Sequence, residues 1–75
     1  MNKEEFFVNL QDILQCDDTL NEDTILADRE EWDSLSIMTL IAFFDKELGQ
    51  RIKFDALKTC RQVRDIIALS KGTIG

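Results

Sequence analysis

The chain has 75 residues, a formal net charge of −6, and no histidine, tyrosine or proline. A chain of this length forms one small domain, residues 1–75, whose thin core leaves little room for an enclosed substrate cavity. Without histidine the commonest general base and transition-metal ligand are missing, and the acidic charge argues against nucleic-acid binding, which needs clustered lysine and arginine.

The first predicted element is an amphipathic helix over about residues 3–15. Asn2 followed by Glu5 has the spacing of a capping box at the start of this helix. Apolar residues then recur at helical spacing, at Phe6, Phe7, Leu10, Ile13 and Leu14.

Residues 16–33 are predicted to form a long ordered loop, because they have no sustained periodicity and contain many Asp, Asn and Thr residues. Apolar residues spaced along it indicate that the loop lies flat across a core: Leu20, Ile25, Leu26 and Trp32. Its acids loosely resemble a calcium-binding EF-hand loop, but Glu22 replaces the required glycine and the closing glutamate is missing. We therefore predict no specific metal site, while weak divalent binding to the acidic surface stays open.

The second predicted helix is the longest and most apolar. Asp33 or Ser34 can cap its start, and Gly49 is predicted to end it. One apolar stripe is predicted to run along the helix through Leu35, Met38, Ile41, Phe44 and Leu48, with Leu40 beside it.

The sequence pattern of the last third of the chain predicts one short and one longer helix. Residues 55–60 can form one or two helical turns, whereas residues 52–54 are too few for a strand. The final helix is predicted to end at Gly72, and Thr59 with Gln62 is a candidate capping box at its start. Four of its residues are expected to face inward: Val63, Ile66, Ile67 and Ser70. The predicted fold class is all-α, a small antiparallel bundle of three main helices plus one short helix, with a long loop between the first and second helices.

Charge is distributed unevenly along the chain. Residues 1–33 carry eleven acidic and two basic side chains, and residues 34–75 carry four acidic and seven basic ones, so the net charges are −9 and +3. Two interpretations stay open: the halves attract each other across the fold, or the acidic half is an external docking face for basic proteins.

The cysteines and the hydropathy pattern indicate a soluble protein in a reducing compartment. Cys16 and Cys60 form no C-x-x-C unit, so we expect two small buried or half-buried hydrophobic residues without a disulfide or metal role. The longest nearly apolar run, residues 37–44, is too short to span a bilayer, and no export signal precedes it. We expect a cytoplasmic monomer without membrane insertion.

Ser34 stands at the predicted N-terminus of the second helix, directly after the acidic loop. Unpaired backbone N–H groups and the positive end of the helix dipole would stabilise a phosphate attached there. The alternative is a simple helix cap, and the D-S-L tripeptide alone favours that alternative.

The order and spacing of the elements favour a phosphate attachment point at Ser34 over a simple helix cap, because the chain resembles the acyl carrier protein family from about residue 5 to residue 69. The resemblance comprises the amphipathic first helix, the acidic loop, D-S-L, an acidic-L-G segment at residues 45–49, a short third helix and a V-x-D-I-I-like sequence at residues 63–67. It implies that Ser34 receives 4′-phosphopantetheine from coenzyme A through a separate magnesium-dependent phosphopantetheinyl transferase.

The resemblance also implies a carrier that is not itself an enzyme. An acyl or aminoacyl group would be held as a thioester on the arm and presented to partners, namely a loading enzyme and downstream transferases or synthases. The alternative from another class is a non-catalytic protein–protein interaction module with a carrier-like fold and an unmodified serine. A hydrolase or transferase with a nucleophilic serine is disfavoured, because no histidine exists to activate it.

The second helix departs from the pattern of fatty-acid carriers, whose acids soon after the serine are replaced here by Ser36 and Thr39. We therefore expect docking through apolar residues near the arm and through acids of the preceding loop. The predicted docking residues are Glu31, Asp33, Leu35, Ile37 and Met38. For Asp28 and Glu30 a solvated loop is an equally good interpretation.

Trp32 also departs from the small residue common in fatty-acid carriers. It looks like the W-D-S-L form of specialised discrete carriers, although its simpler role is a packing anchor that fixes the loop on the core. These departures favour a dedicated biosynthetic pathway over bulk fatty-acid synthesis.

Overall fold

The computed structural model describes residues 1–75 and contains four α-helices and no β-strand. The helices are α1 (Lys3–Leu14), α2 (Ser34–Leu48), α3 (Phe54–Lys58) and α4 (Val63–Leu69). This architecture confirms the predicted all-α fold class, with residues 15–33 as the long connection between α1 and α2. None of the four helices combines the length and the apolar character that crossing a membrane would need.

Side-chain and backbone caps set the two ends of α1. The Asn2 side chain accepts a hydrogen bond from the Glu5 N–H (2.8 Å), as the predicted cap requires. At the other end Gln15 adopts a left-handed conformation, and its N–H donates to the Asp12 carbonyl (3.2 Å). This closing turn explains why the helix ends at Leu14, one residue before the predicted end.

The core is built from all four helices, the long loop and the C-terminal segment. Its thirteen buried hydrophobic residues are Phe6, Leu10, Leu14, Leu20, Leu26, Ile37, Leu40, Phe44, Leu57, Cys60, Val63, Ile66 and Ile74. Phe6 of α1 and Phe44 of α2 meet edge to face, with ring centroids 6.3 Å apart. Because Leu20 and Leu26 are buried, the loop lies across the core as predicted, whereas Ile25 is exposed.

The buried face of α2 differs from the predicted stripe. Ile37, Leu40 and Phe44 are buried, whereas Leu35 and Met38 are 74% and 61% exposed. Leu35 precedes Phe44 by nine residues, about two and a half helical turns, so the two side chains lie on opposite sides of the helix. The predicted stripe is therefore wrong for Leu35 and Met38, whereas its other members, Ile41, Phe44 and Leu48, lie in the core or pack against it.

The long loop also holds the start of α4. The first backbone N–H groups of a helix lack partners within it, and here the N–H groups of Val63 and Arg64 donate to the carbonyls of Thr24 and Glu22, both at 3.1 Å. An antiparallel bridge between Ile25 and Gln62 extends the same contact. The loop therefore has a fixed path over the bundle.

The predicted capping box of Thr59 and Gln62 is wrong. The Thr59 hydroxyl donates to the Asp55 carbonyl (3.1 Å) and so belongs to the end of α3. The N-cap of α4 is Gln62, three residues later than the predicted Thr59, and the Asp65 carboxylate accepts from the Gln62 N–H (3.0 Å). Ser70, expected to face inward, is fully buried.

Ion pairs connect the two unevenly charged halves at one place. Lys3–Glu22, Arg29–Asp18 and Arg29–Glu31 lie within the acidic first half of the chain, and Arg64–Asp23 alone joins the two halves. Attraction across the fold is thus limited to one surface contact, and exposed pairs of this kind contribute little to stability. Most of the acidic side chains are left at the surface.

The cysteines are both free thiols. Cys60 is buried, and its Sγ donates to the Ala56 carbonyl (3.3 Å). Burial raises the pKa of this thiol to about 11, which keeps it protonated at neutral pH. Cys16 is half-buried against the core. Both placements confirm the prediction of small hydrophobic residues.

The chain termini meet at one end of the bundle. The Met1 ammonium donates to the Thr73 carbonyl (3.1 Å), and the Gly75 N–H donates to the Met1 carbonyl (3.0 Å). The Thr73 hydroxyl donates to the side chain of Gln50, which stands two residues after the end of α2. Because α2 is about 22 Å long and begins at Ser34, the termini lie at the far end of the bundle from Ser34.

Leu10 and Val8 of α1 test the placement of the core, because Leu10 is fully buried and Val8 is 61% exposed. We expect Leu10→Ala to lower the free energy of unfolding by about 2–5 kcal/mol through lost burial and a residual cavity. The control Val8→Ala should change it by less than about 0.5 kcal/mol. Urea unfolding followed by circular dichroism measures both, and equal losses would contradict this core.

Candidate functional site

Ser34 is the first residue of α2, and its side chain is exposed. The residue that caps the helix is Asp33, whose backbone is extended and whose carboxylate accepts from the Ser36 N–H (3.0 Å). The capping role, which the sequence left open between these two neighbours, therefore falls to Asp33. The Ser34 hydroxyl is left at the solvent-facing start of the helix.

Ser36 fixes the loop to the helix on the inner side of this turn. Its hydroxyl accepts from the Asp33 N–H (3.0 Å) and donates to the Glu31 carbonyl (2.6 Å), and the side chain is 6% exposed. Ser36 is therefore buried in this turn and is not part of the exposed surface at the start of the helix. The spacing D-x-x-S, in which two capping residues stand three apart, was the signal in the sequence for this reciprocal contact.

The negative charges beside Ser34 are partly engaged within the chain. Hydrogen bonds from the Ser36 backbone hold the pKa of Asp33 below its ordinary value of 3.8, so this carboxylate is ionised at neutral pH. The Glu31 carboxylate contacts the Arg29 guanidinium at 3.2 Å. Asp28 and Glu30 are exposed and make none of the four ion pairs.

The predicted apolar docking residues separate into two groups. Leu35 and Met38 stand on the exposed side of α2, one and four residues after Ser34. Ile37 is 3% exposed and belongs to the core, so the prediction that it is available on the surface is wrong. Its position three residues before Leu40 and seven before Phe44 places it on the buried face of the helix.

Two surface grooves flank the start of α2. The larger, about 480 Å³, lies between the end of α1 and the start of α2 and is lined by Asp12, Ile13, Leu14, Gln15, Glu31, Asp33, Leu35, Ser36 and Thr39. The smaller, about 280 Å³, includes Ser34 itself and reaches α3; its lining residues are Trp32, Asp33, Ser34, Ile37, Phe54 and Lys58. We call the smaller one the α2–α3 groove.

Trp32 lines the α2–α3 groove and packs against the core, which confirms its predicted anchoring role. Its indole Nε1–H is buried without a hydrogen-bond acceptor, the one side-chain nitrogen or oxygen in the protein in that state. Such a group is unusual, because buried donors are nearly always paired. Sequence reasoning did not find this donor, because neighbouring residues in the sequence do not reveal whether an acceptor is close in space.

No group of three or more cysteine, aspartate or glutamate side chains is placed to hold a metal ion. Several acids of the long loop are engaged instead in ion pairs with basic side chains. Asp18 pairs with Arg29 and Asp23 pairs with Arg64.

One comparison with known proteins gives a match. Residues 8–70 match the family model described as phosphopantetheine attachment site. No curated protein and no solved structure matches the chain significantly.

The residues around Ser34 fit a phosphate-linked arm. The exposed hydroxyl stands where helix N–H groups and the helix dipole favour an anion. The adjoining groove combines apolar walls with the basic side chain of Lys58, and it is lined by Trp32, whose indole N–H is buried and unpaired. Each of these features suits a ligand that begins with a phosphodiester and continues as an apolar and amide chain.

The Asp33 cap predicts a specific pH dependence. Because hydrogen bonding lowers the pKa of Asp33 in the folded protein, its contribution to stability is present above the ordinary carboxyl pKa and is lost as the pH falls through the lowered pKa. Asp33→Asn keeps an acceptor oxygen but cannot titrate, so we expect a smaller fall in melting temperature between about pH 7 and about pH 2.5 than in the wild type.

Asp33→Ala removes both the acceptor and the charge and should be less stable than Asp33→Asn at each pH. Asp65, whose pKa is also lowered by backbone hydrogen bonds at the start of α4, is common to all three proteins and cancels in the comparison. Identical pH profiles for the wild type and Asp33→Asn would show that Asp33 does not hold this cap.

Proposed function

This chain belongs to the phosphopantetheine attachment site family, and we propose that it is a carrier protein whose 4′-phosphopantetheine arm is attached to Ser34. The family carries this cofactor covalently on a serine, and its members act as carriers.

The exposure of the serines is the observation that carries the assignment. The chain has three, Ser34, Ser36 and Ser70, and all lie within the matched residues 8–70. Ser36 and Ser70 are 6% and 0% exposed, and their hydroxyls donate to backbone carbonyls. Ser34 is the one serine whose hydroxyl a modifying enzyme can reach without opening the fold.

The chain's own groups would stabilise the attached phosphodiester. The N-terminal end of α2 places the positive end of the helix dipole beside Ser34, and of its first N–H groups that of Ser36 is bonded to Asp33. The reciprocal bonds between Asp33 and Ser36 tie this turn to the start of α2, so the attachment point is held by the helix. When bound, the arm supplies a terminal thiol that can hold an acyl or aminoacyl group as a thioester.

We further propose that the chain is not an enzyme and that residues 1–75 form one carrier domain acting in the cytoplasm. A tethered cargo meets each docked enzyme at a high effective concentration, which is the advantage of a carrier without chemistry of its own. The partners are a phosphopantetheinyl transferase, an acyl- or aminoacyl-loading enzyme and downstream transferases or synthases of a specialised pathway. The competing interaction module, with an unmodified serine, does not account for the family match.

The docking face we propose contains Leu35 and Met38, with Glu31 and Asp33 at its edge. The exposure of the two apolar side chains beside Ser34 supports this face, because large apolar residues left in solvent near a functional site often mark a protein interface. Methionine adapts its shape to different contacts, which suits a carrier that meets several enzymes.

Intact-mass spectrometry tests the attachment site. After incubation with coenzyme A, magnesium and a broad-specificity phosphopantetheinyl transferase, we expect the wild type to gain one phosphopantetheine and Ser34→Ala to gain none. Ser36→Ala is the matched control, since it removes the neighbouring hydroxyl and should still be loaded. Loading of Ser34→Ala would overturn the assignment, and failure to load a folded wild type would leave the interaction module as the better explanation.

The docking face is tested by the rate at which loaded protein passes its cargo to a cognate partner. We expect Met38→Glu to slow transfer by about tenfold, because it places a charge in an apolar contact, and Asp28→Asn to have a smaller effect. Val8→Glu is the matched control, because Val8 is as exposed as Met38 but lies on α1. Equal effects of Met38→Glu and either comparison variant would count against an apolar docking surface on α2.

A further inference from the structure

The α2–α3 groove begins at Ser34 and has chemically distinct parts. Trp32, Ile37 and Phe54 supply its apolar surface, and Lys58 at the end of α3 is its one basic residue. Ile37 is buried, whereas Trp32 and Phe54 are half-buried, so two aromatic rings remain partly accessible beside the serine.

We propose that this groove seats the proximal part of the arm, with the phosphodiester beside Lys58 and the pantoyl gem-dimethyl group against Trp32 and Phe54. The inference rests on the proposed attachment at Ser34. The occupant follows from connectivity, because the arm starts at a residue that lines the groove and its first atoms cannot leave that neighbourhood. Tethering gives them a high effective concentration there.

The charges around the groove favour a phosphodiester beside Lys58. The ammonium of Lys58 attracts it, while the ionised carboxylate of Asp33 repels it from the side of the cap. The next group along the arm is apolar and branched, and the next surface along the groove is aromatic. The thiol lies many bonds further and remains outside the groove, available to partner enzymes.

The unpaired indole N–H of Trp32 provides a further reason for an occupant. The donor is buried without an acceptor in the chain itself, which is disfavoured. The proximal arm carries phosphate, hydroxyl and amide oxygens, any of which can accept this bond once the half-buried ring turns toward the groove. Trp32 then becomes a positioning residue that sets how the arm leaves the protein.

The experiment compares the unloaded and loaded forms of the full chain by NMR. The chain is labelled with ¹³C and ¹⁵N and loaded enzymatically with an unlabelled arm, and loading is verified by intact mass. We expect filtered nuclear Overhauser contacts from the two pantoyl methyl groups to ring protons of Trp32 and Phe54, and a shift of the Trp32 indole N–H resonance.

Two exposed lysines supply a matched pair of variants. Lys58→Gln removes the charge in the groove and should weaken the pantoyl contacts, whereas Lys53→Gln, which lies outside the groove just before α3, should leave them unchanged. The single tryptophan gives a second measurement, since its fluorescence should change on loading in the wild type and less so in Lys58→Gln.

The outcomes separate the two proposals. A loaded protein without contacts to either ring, or with pantoyl contacts to Leu35 and Met38 instead, overturns the groove seat and leaves Ser34 as the attachment site. Equal effects of the two lysine variants also overturn it. A folded wild type that cannot be loaded overturns the attachment site and the groove seat together.

Discussion

The reciprocal hydrogen bonds between Asp33 and Ser36 are the contact on which the site depends. They make Asp33 the cap and Ser34 the first helical residue, so the hydroxyl of Ser34 is spared from capping and faces solvent. They also set the phase of α2, because Ile37 then falls on the buried face with Leu40 and Phe44. A helix beginning one residue later would use Ser34 as its own cap and occupy its hydroxyl.

Sequence periodicity predicted the helices well where polar and apolar residues alternate clearly. In α1 the residues at helical spacing, such as Phe6 and Leu10, are the buried ones. In α2 most residues from 35 to 44 are apolar, so periodicity does not decide which of them are buried, and the predicted stripe wrongly includes Leu35 and Met38. Adjacent residues with equal capping ability, Asp33 and Ser34, posed the same problem, which only the geometry of the turn resolves.

The part of the candidate site that lies within a few consecutive residues was predictable from sequence, whereas the part formed by distant segments was not. Ser34 stands in a short motif at a helix start, so its position followed from sequence. The α2–α3 groove joins Trp32 to Phe54 and Lys58, more than twenty residues later, and its existence depends on how α3 packs against α2. Likewise, no sequence pattern distinguishes a buried indole N–H that lacks an acceptor from one that has found a partner.

The meeting of the chain ends has a practical consequence. Since Met1, Thr73 and Gly75 are hydrogen-bonded together at the pole opposite Ser34, a bead, a sensor surface or a fused fluorescent protein attached through either end would leave the Ser34 pole unobstructed. A short linker could also join the two chain ends, and new chain ends could be opened in the long loop, which would give a circular permutant. The burial of Ile74 means that any such joint must begin beyond that side chain.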